Sequence, residues 1–171
     1  MTITPDLARL HFAYTEWATS RLLDAARGLS ADELVRDFGT ADRSVLGTLT
    51  HVFAADRVWL ARLHGDPPEV PEGYDLERLA GEWSALLGRW QERAAGLTES
   101  SLAERISYRD LKGNPWITPV WQIVLHVVNH GTHHRGQVAG FLRTMGKIPP
   151  TLDLIAFYRQ ADGPAARPPG A

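Results

Sequence analysis

The stretch Leu125-His-Val-Val-Asn-His-Gly-Thr-His-His-Arg-Gly-Gln137 decides how the rest of the chain is read. Four of the seven histidines, His126, His130, His133 and His134, fall inside it. In a helix, His126, His130 and His134 recur at i, i+4 and i+8 and share one side, whereas His133 lies about 100° away from that stripe. Trp121, Val124, Val127, Val128, Val138 and Phe141 supply apolar anchors around them. The pattern predicts a helix from about Pro119 to Met145, with Thr118 as N-cap and Pro119 as first residue. Gly146 stops it, and Pro149-Pro150 prevent a restart.

Three further long helices follow from the same periodicity. The first spans about Pro5–Arg27, with Leu7, Leu10, Tyr14, Trp17, Leu22 and Ala25 along its stripe and Gly28 as its stop. The second spans about Ser44–His64, with Ser44 as N-cap, and ends at Gly65-Asp-Pro-Pro. The third spans about Leu76–Ala95 and closes at Gly96. Between them, Ser30-Ala-Asp-Glu33 has capping-box form and predicts a short turn of helix over Asp32–Arg36. Asp37-Phe-Gly-Thr-Ala-Asp42 and Thr98-Glu-Ser-Ser-Leu102 read as loop and turn. Glu104–Trp116 reads as an extended excursion or a hairpin turning at Lys112-Gly-Asn114. Thr151–Tyr158 predicts a short terminal helix in which Asp153 caps, and residues 163–171 a disordered tail. Trp17, Trp59 and Trp121 fit apolar stripes and read as core. Four long amphipathic helices argue an all-α, antiparallel four-helix bundle with a short C-terminal helix, one domain over residues 1–162.

Composition narrows the function. The 171 residues carry 18 Lys and Arg against 20 Asp and Glu, a net charge of −2, so no basic excess points to nucleic acid. No apolar run approaches the roughly 18 residues of a membrane span. The first residues lack the basic and apolar regions of a signal peptide, which places the protein in the cytoplasm by default. There is no cysteine, so disulfides, thiolate metal ligands and cysteine nucleophiles are excluded, and any thiol chemistry needs a thiol from outside.

Histidine is then the soft ligand present in number. Bundles build metal sites from inward side chains on facing helices. His51, near the start of the second long helix, supplies a third imidazole, and Gly47, Thr48, Ala54 and Ala55 near it leave room. Spacing admits either His126 with His130 or His130 with His134 as the pair that joins it. Three histidines leave a coordination position open for water or substrate, as catalysis requires. Neutral imidazole binds metal and its ordinary pKa is about 6.5, so affinity is expected to fall below roughly pH 6. Asp56 reads either as a carboxylate orienting an imidazole or water, or as a charge on a solvated face. Gln137 reads as a cavity-lining residue or an interhelix hydrogen bond. Arg135 reads as a partner for a nearby carboxylate or an anionic substrate. His11 and His64 read as structural or exposed.

These residues carry a resemblance. From Leu10 to Tyr158 the chain resembles the DinB-like (DinB/YfiT) superfamily of metal-dependent enzymes, most specifically over Leu125–Gln137. Supporting matches are Glu16-Trp17-Ala, Leu49-Thr-His51 followed by Asp56 and Trp59, and Leu142-Arg-Thr-Met-Gly146 leading to Pro149-Pro-Thr-Leu-Asp153. The resemblance implies an up-down-down-up bundle, a homodimer, and one divalent metal ion held by His51, His130 and His134. His126, Asp56 and Gln137 then become neighbours of the ligands or of substrate. Zinc or nickel is the expected ion, with manganese or iron after them. Relatives in the superfamily imply transfer of a low-molecular-weight thiol to a small electrophilic substrate. Hydrolysis by metal hydroxide and non-catalytic metal binding in a stress response are the alternatives.

Overall fold

The structure, a computed structural model, describes residues 2–67, 69, 70 and 72–161. The tail expected over residues 163–171 lies outside them. The elements in order are α1 (Pro5–Arg27), α2 (Ala31–Val35), α3 (Val45–His64), α4 (Leu76–Ala95), α5 (Glu99–Ala103), β1 (Arg105–Arg109), β2 (Pro115–Pro119), α6 (Val120–Thr144) and α7 (Leu154–Ala161). Caps set most of the starts. The side chains of Thr4, Ser44 and Asp75 accept from the backbone N–H three residues on, as N-caps of α1, α3 and α4. Ser30 with Glu33 and Thr98 with Ser101 form capping boxes. The second box turns the predicted Thr98 turn into the short helix α5. Gly65 ends α3 at φ 78°, a conformation other residues adopt at a cost.

Contacts fix the direction of each helix. Arg9, early in α1, reaches the carbonyls of Ala95 and Leu97 at the end of α4, and Arg27 at the end of α1 pairs with Glu77 at the start of α4. These two helices are antiparallel. His51 and Trp59 of α3 meet His130 and His126 of α6 in reverse order, so α3 and α6 are antiparallel as well. Tyr14 and Thr19 of α1 meet Arg135 of α6, while His11 sits by Leu125, so α1 and α6 are parallel. The order is up-down-down-up. Parallel α3 and α4 require the chain to retrace a helix of about 30 Å, and the segment 65–75 is long enough to do so.

The core is built on Trp83 and Trp90, both essentially inaccessible, with Phe12 stacked on Trp90 at 4.9 Å. The tryptophans expected in the core sit at its margin instead. Trp17 packs on Phe157 of α7, Trp59 on Tyr108 of β1, and Trp121 is only partly buried. The excursion before α6 is a hairpin, with Ser107 paired to Ile117 and Gly113 in its turn at φ 86°. It claims Thr118 as a strand residue facing the Tyr108 hydroxyl at 3.2 Å. The N-cap of α6 is therefore Pro119, without a side-chain bond, rather than Thr118. The terminal helix starts after Asp153, whose carbonyl accepts from Ala156 and Phe157.

Candidate metal centre

α3 and α6 bring together His51, His130 and His134. One ring nitrogen from each lies within 4.8 Å of the other two. Nε2 of His51 and Nε2 of His130 are 3.1 Å apart. Two ligands of a single ion with bonds of about 2.0–2.1 Å stand roughly 3–3.5 Å apart, so this spacing suits a shared ion. The i, i+4 relation puts the His130 and His134 rings edge to face at 4.5 Å, and the antiparallel crossing delivers His51 to both.

The outward nitrogens have acceptors. Nδ1 of His134 lies 2.7 Å from Oε1 of Gln137, one turn on in the same helix. Donation by Nδ1–H to that oxygen leaves Nε2 bare as a ligand. The Asp42 carboxylate faces Nδ1 of His51 at 3.5 Å and Nδ1 of His134 at 3.7 Å. It faces rings from two helices, and its charge favours a proton on Nδ1 and a free Nε2 in each. Gln137 is thus an intrahelical partner of His134.

Asp42 was not singled out in the sequence, where it sits in an apparent loop. The fold fixes that loop from several directions. Phe38 stacks on Phe141 of α6 at 4.3 Å, Lys147 pairs with Glu33 at 3.0 Å, and the Phe38 N–H donates to the Arg43 carbonyl at 2.7 Å. Arg43 takes the left-handed conformation, φ 64°, to turn the chain into α3. A Cβ on Gly47 would overlap the Asp42 carbonyl oxygen. Gly47 therefore makes room for the loop that carries Asp42, not for an imidazole.

Burial, followed by the neighbouring His134, pushes the His130 pKa down to about 4. Burial also lowers His134, partly offset by Gln137 and Asp42. Burial thus favours the neutral form of both rings, the form that can bind a metal ion. A proton would compete with a metal ion for His130 only well below the pH 6 expected from an ordinary histidine.

The other candidates separate from the cluster. His126 continues the stripe, 5.6 Å from His130 ring to ring, and meets Trp59 edge to face at 5.1 Å. It lies outside the three-histidine group and beside it, exposed. Arg62 covers both Trp59 and Tyr108, at 4.6 and 4.7 Å, closing that end of the seam. Asp56 neither touches the cluster nor faces solvent. It is 3% exposed and accepts from Trp83 Nε1 at 3.1 Å, and burial pushes its pKa up to about 7. His133 is exposed, His11 half-buried, and His64 ends α3 at the surface. The donor set, three imidazoles with acceptors behind two of them, fits a borderline divalent ion.

Known proteins resemble this chain over most of its length. Protein DinB of Bacillus subtilis (strain 168) is 24% identical over 172 residues, covering 92% of this chain and 98% of that protein. The crystal structure of a DinB-like protein from Bacillus cereus ATCC 10987 superposes with a TM-score of 0.67 at 22% identity, covering 88% of this chain and 99% of that one, and so shares the fold. A family model described as DinB family matches residues 4–167. The chain belongs to the DinB family.

Proposed function

We propose that this protein is a divalent-metal-dependent enzyme whose ion is held by His51, His130 and His134, and that it transfers a low-molecular-weight thiol to a small electrophile. The observation that carries the reading is three imidazoles converging within 4.8 Å, with Asp42 and Gln137 behind two of them. When bound, a zinc or nickel ion on neutral ligands keeps its full charge and lowers the pKa of a thiol or water beside it. The thiol would then give its proton to solvent, its sulfur bond the electrophilic carbon, and the leaving group depart with the bonding pair. The absence of cysteine fits a thiol supplied as cosubstrate. Such thiols are kept reduced in the cytoplasm, which supports that location. Among the described residues no helix is long and apolar enough to cross a membrane.

Hydrolysis is the second reading. It needs a base near the ion. Asp56 is buried against Trp83, and Asp42 is committed to two ligands, which leaves His126. A homodimer belongs to the same proposal. A cavity of about 490 Å³ lined largely by apolar surface, with Tyr14, Leu125, Val128 and Leu154 among its walls, lies open where α1, α6 and α7 meet. Sedimentation analysis tests the dimer. A panel of biological thiols with a chlorinated aromatic, run on metal-loaded protein and on His130→Ala, tests the enzyme. Thiol consumption that requires the metal and is lost in the variant is expected. No metal-dependent turnover across the panel would leave a binding protein.

A further inference from the structure

The polar group least accounted for by the metal centre is Arg135. It follows His134 in sequence but points to the other side of α6, between that helix and α1. Its residue is 2% exposed. Its guanidinium reaches Thr132 Oγ1 at 3.1 Å and Thr19 Oγ1 at 3.5 Å, and lies 5.5 Å from the Tyr14 ring centre. Among the described residues no carboxylate comes within 4.0 Å of it, and its Nε has no partner. A buried cation without a paired anion costs several kcal/mol. Asp56, the acidic residue whose charge Arg135 feels, lies beyond 4.0 Å and is itself driven towards its neutral form by burial.

Arg135 lines a cavity of about 440 Å³ bounded by α1, α6 and the segment before α7. That volume is in the range of small-molecule sites. Arg143, two turns further along α6, stands in the same wall, together with Tyr14, Thr132 and Gly136. Asp153 is the acidic residue of the lining. Two guanidinium groups against one carboxylate leave a single positive charge. The Tyr14 hydroxyl donates to the Leu152 carbonyl at 2.7 Å, which ties the 149–154 wall to α1 and keeps the cavity formed.

We propose that this cavity is a second ligand site, distinct from the metal centre, that binds a small monocarboxylate between Arg135 and Arg143. The planar fork of an arginine matches a carboxylate, and the charge balance of the walls selects one negative charge over two. Thr132, whose hydroxyl donates to the Val128 carbonyl and accepts from Arg135, holds the guanidinium in place, and the aromatic face of Tyr14 completes a surface for a short organic acid.

The test uses the full chain carrying His130→Ala, so that a carboxylate cannot register by binding the metal. Benzoate, acetate and inorganic phosphate are titrated by calorimetry and by amide chemical shifts. Benzoate or acetate is expected to bind, with shifts at residues 132–143 and 150–154. Arg143→Gln should weaken binding roughly tenfold, the effect of losing one charged contact. Gly136→Leu places a side chain in open space beside the cavity and should abolish binding while the helix is retained. Shifts at the His51 end of α3 instead, affinity unchanged in both variants, or no binding up to ~10 mM would each overturn the proposal. Binding of phosphate in preference to both carboxylates would overturn the monoanion assignment.

Discussion

Replacing Asp42 with asparagine is expected to weaken metal binding about tenfold while leaving the fold intact. The carboxylate faces Nδ1 of His51 at 3.5 Å and of His134 at 3.7 Å. It acts on two of three ligands, which raises its weight, but from beyond the usual N–H···O distance, which lowers it. Outer groups of this kind are worth roughly 10- to 100-fold in metal affinity, and the long contacts set the loss near tenfold, or ~1.4 kcal/mol. Gly47→Ala should produce a similar loss without touching any charge, because its Cβ would displace the Asp42 carbonyl. Competition between the protein and a chelator for zinc near neutral pH measures both. Removal of a ligand, as in His130→Ala, should cost far more. If Asp42→Asn and Gly47→Ala both bind zinc within about twofold of the wild type while His130→Ala does not, the loop is not part of the centre.

Asp56→Asn should be more stable than the wild type above neutral pH. Burial raises the folded-state pKa from 3.8 to about 7, so the folded form holds its proton where the unfolded chain has lost it. The stability of the protonated form is complete below about pH 4 and is lost as pH rises towards 7, by at most ~4 kcal/mol. The variant, always neutral and still able to accept from Trp83, should show a flatter profile in denaturant titrations at pH 5 and pH 8, and matching profiles would refute the assignment. Gly131→Ala should lower the melting point slightly, since the new Cβ would lie 2.7 Å from Arg135 Nη1, the net cost held to about 1 kcal/mol or less by the helix propensity of alanine and by room for the guanidinium to shift towards its cavity. A melting point equal to the wild type would show that Arg135 moves freely. His133→Ala should leave zinc affinity unchanged, because His133 is exposed and outside the three-nitrogen group. A loss comparable to His134→Ala would contradict the geometry.

The long helices were legible because their apolar periods and caps agree, as with Ser44 before α3 and Gly65 after it. Direction was less legible. The segment 65–75 is long enough to retrace α3, yet its prolines and glycine alone say only that it is not helical. Thr118 shows local preference giving way to pairing. It has the chemistry of an N-cap, but the hairpin takes its backbone into β2 and leaves Pro119 at the helix start. Trp83 and Trp90 became the core because α4 is enclosed along that face, whereas Trp17 and Trp59 meet smaller elements whose positions the periodicity does not encode. At the centre, the i, i+4 spacing left His130 with either partner and only the family resemblance picked His134; the crossing with α3 brings that same pair to His51. Asp42 was hidden because its contact with the histidines depends on a loop folded back across a glycine. The pair Asp42 and Gly47, five residues apart around an N-cap, was the signal available, and it is a weak one without coordinates. Asp56 looked like a ligand's neighbour from its distance along the helix, but five residues is about 140° past a turn, which turns it towards α4.

The central claim is that three imidazoles from two helices hold one divalent ion. Metal analysis of protein purified without chelator, with X-ray absorption spectroscopy of the bound ion, tests it most directly. The account predicts about one equivalent of ion with three histidine nitrogens in its coordination sphere, and loss of that stoichiometry in His130→Ala. A wild-type protein that holds no stoichiometric metal and takes up neither zinc nor nickel, or one whose metal content matches that of the variant, would contradict it.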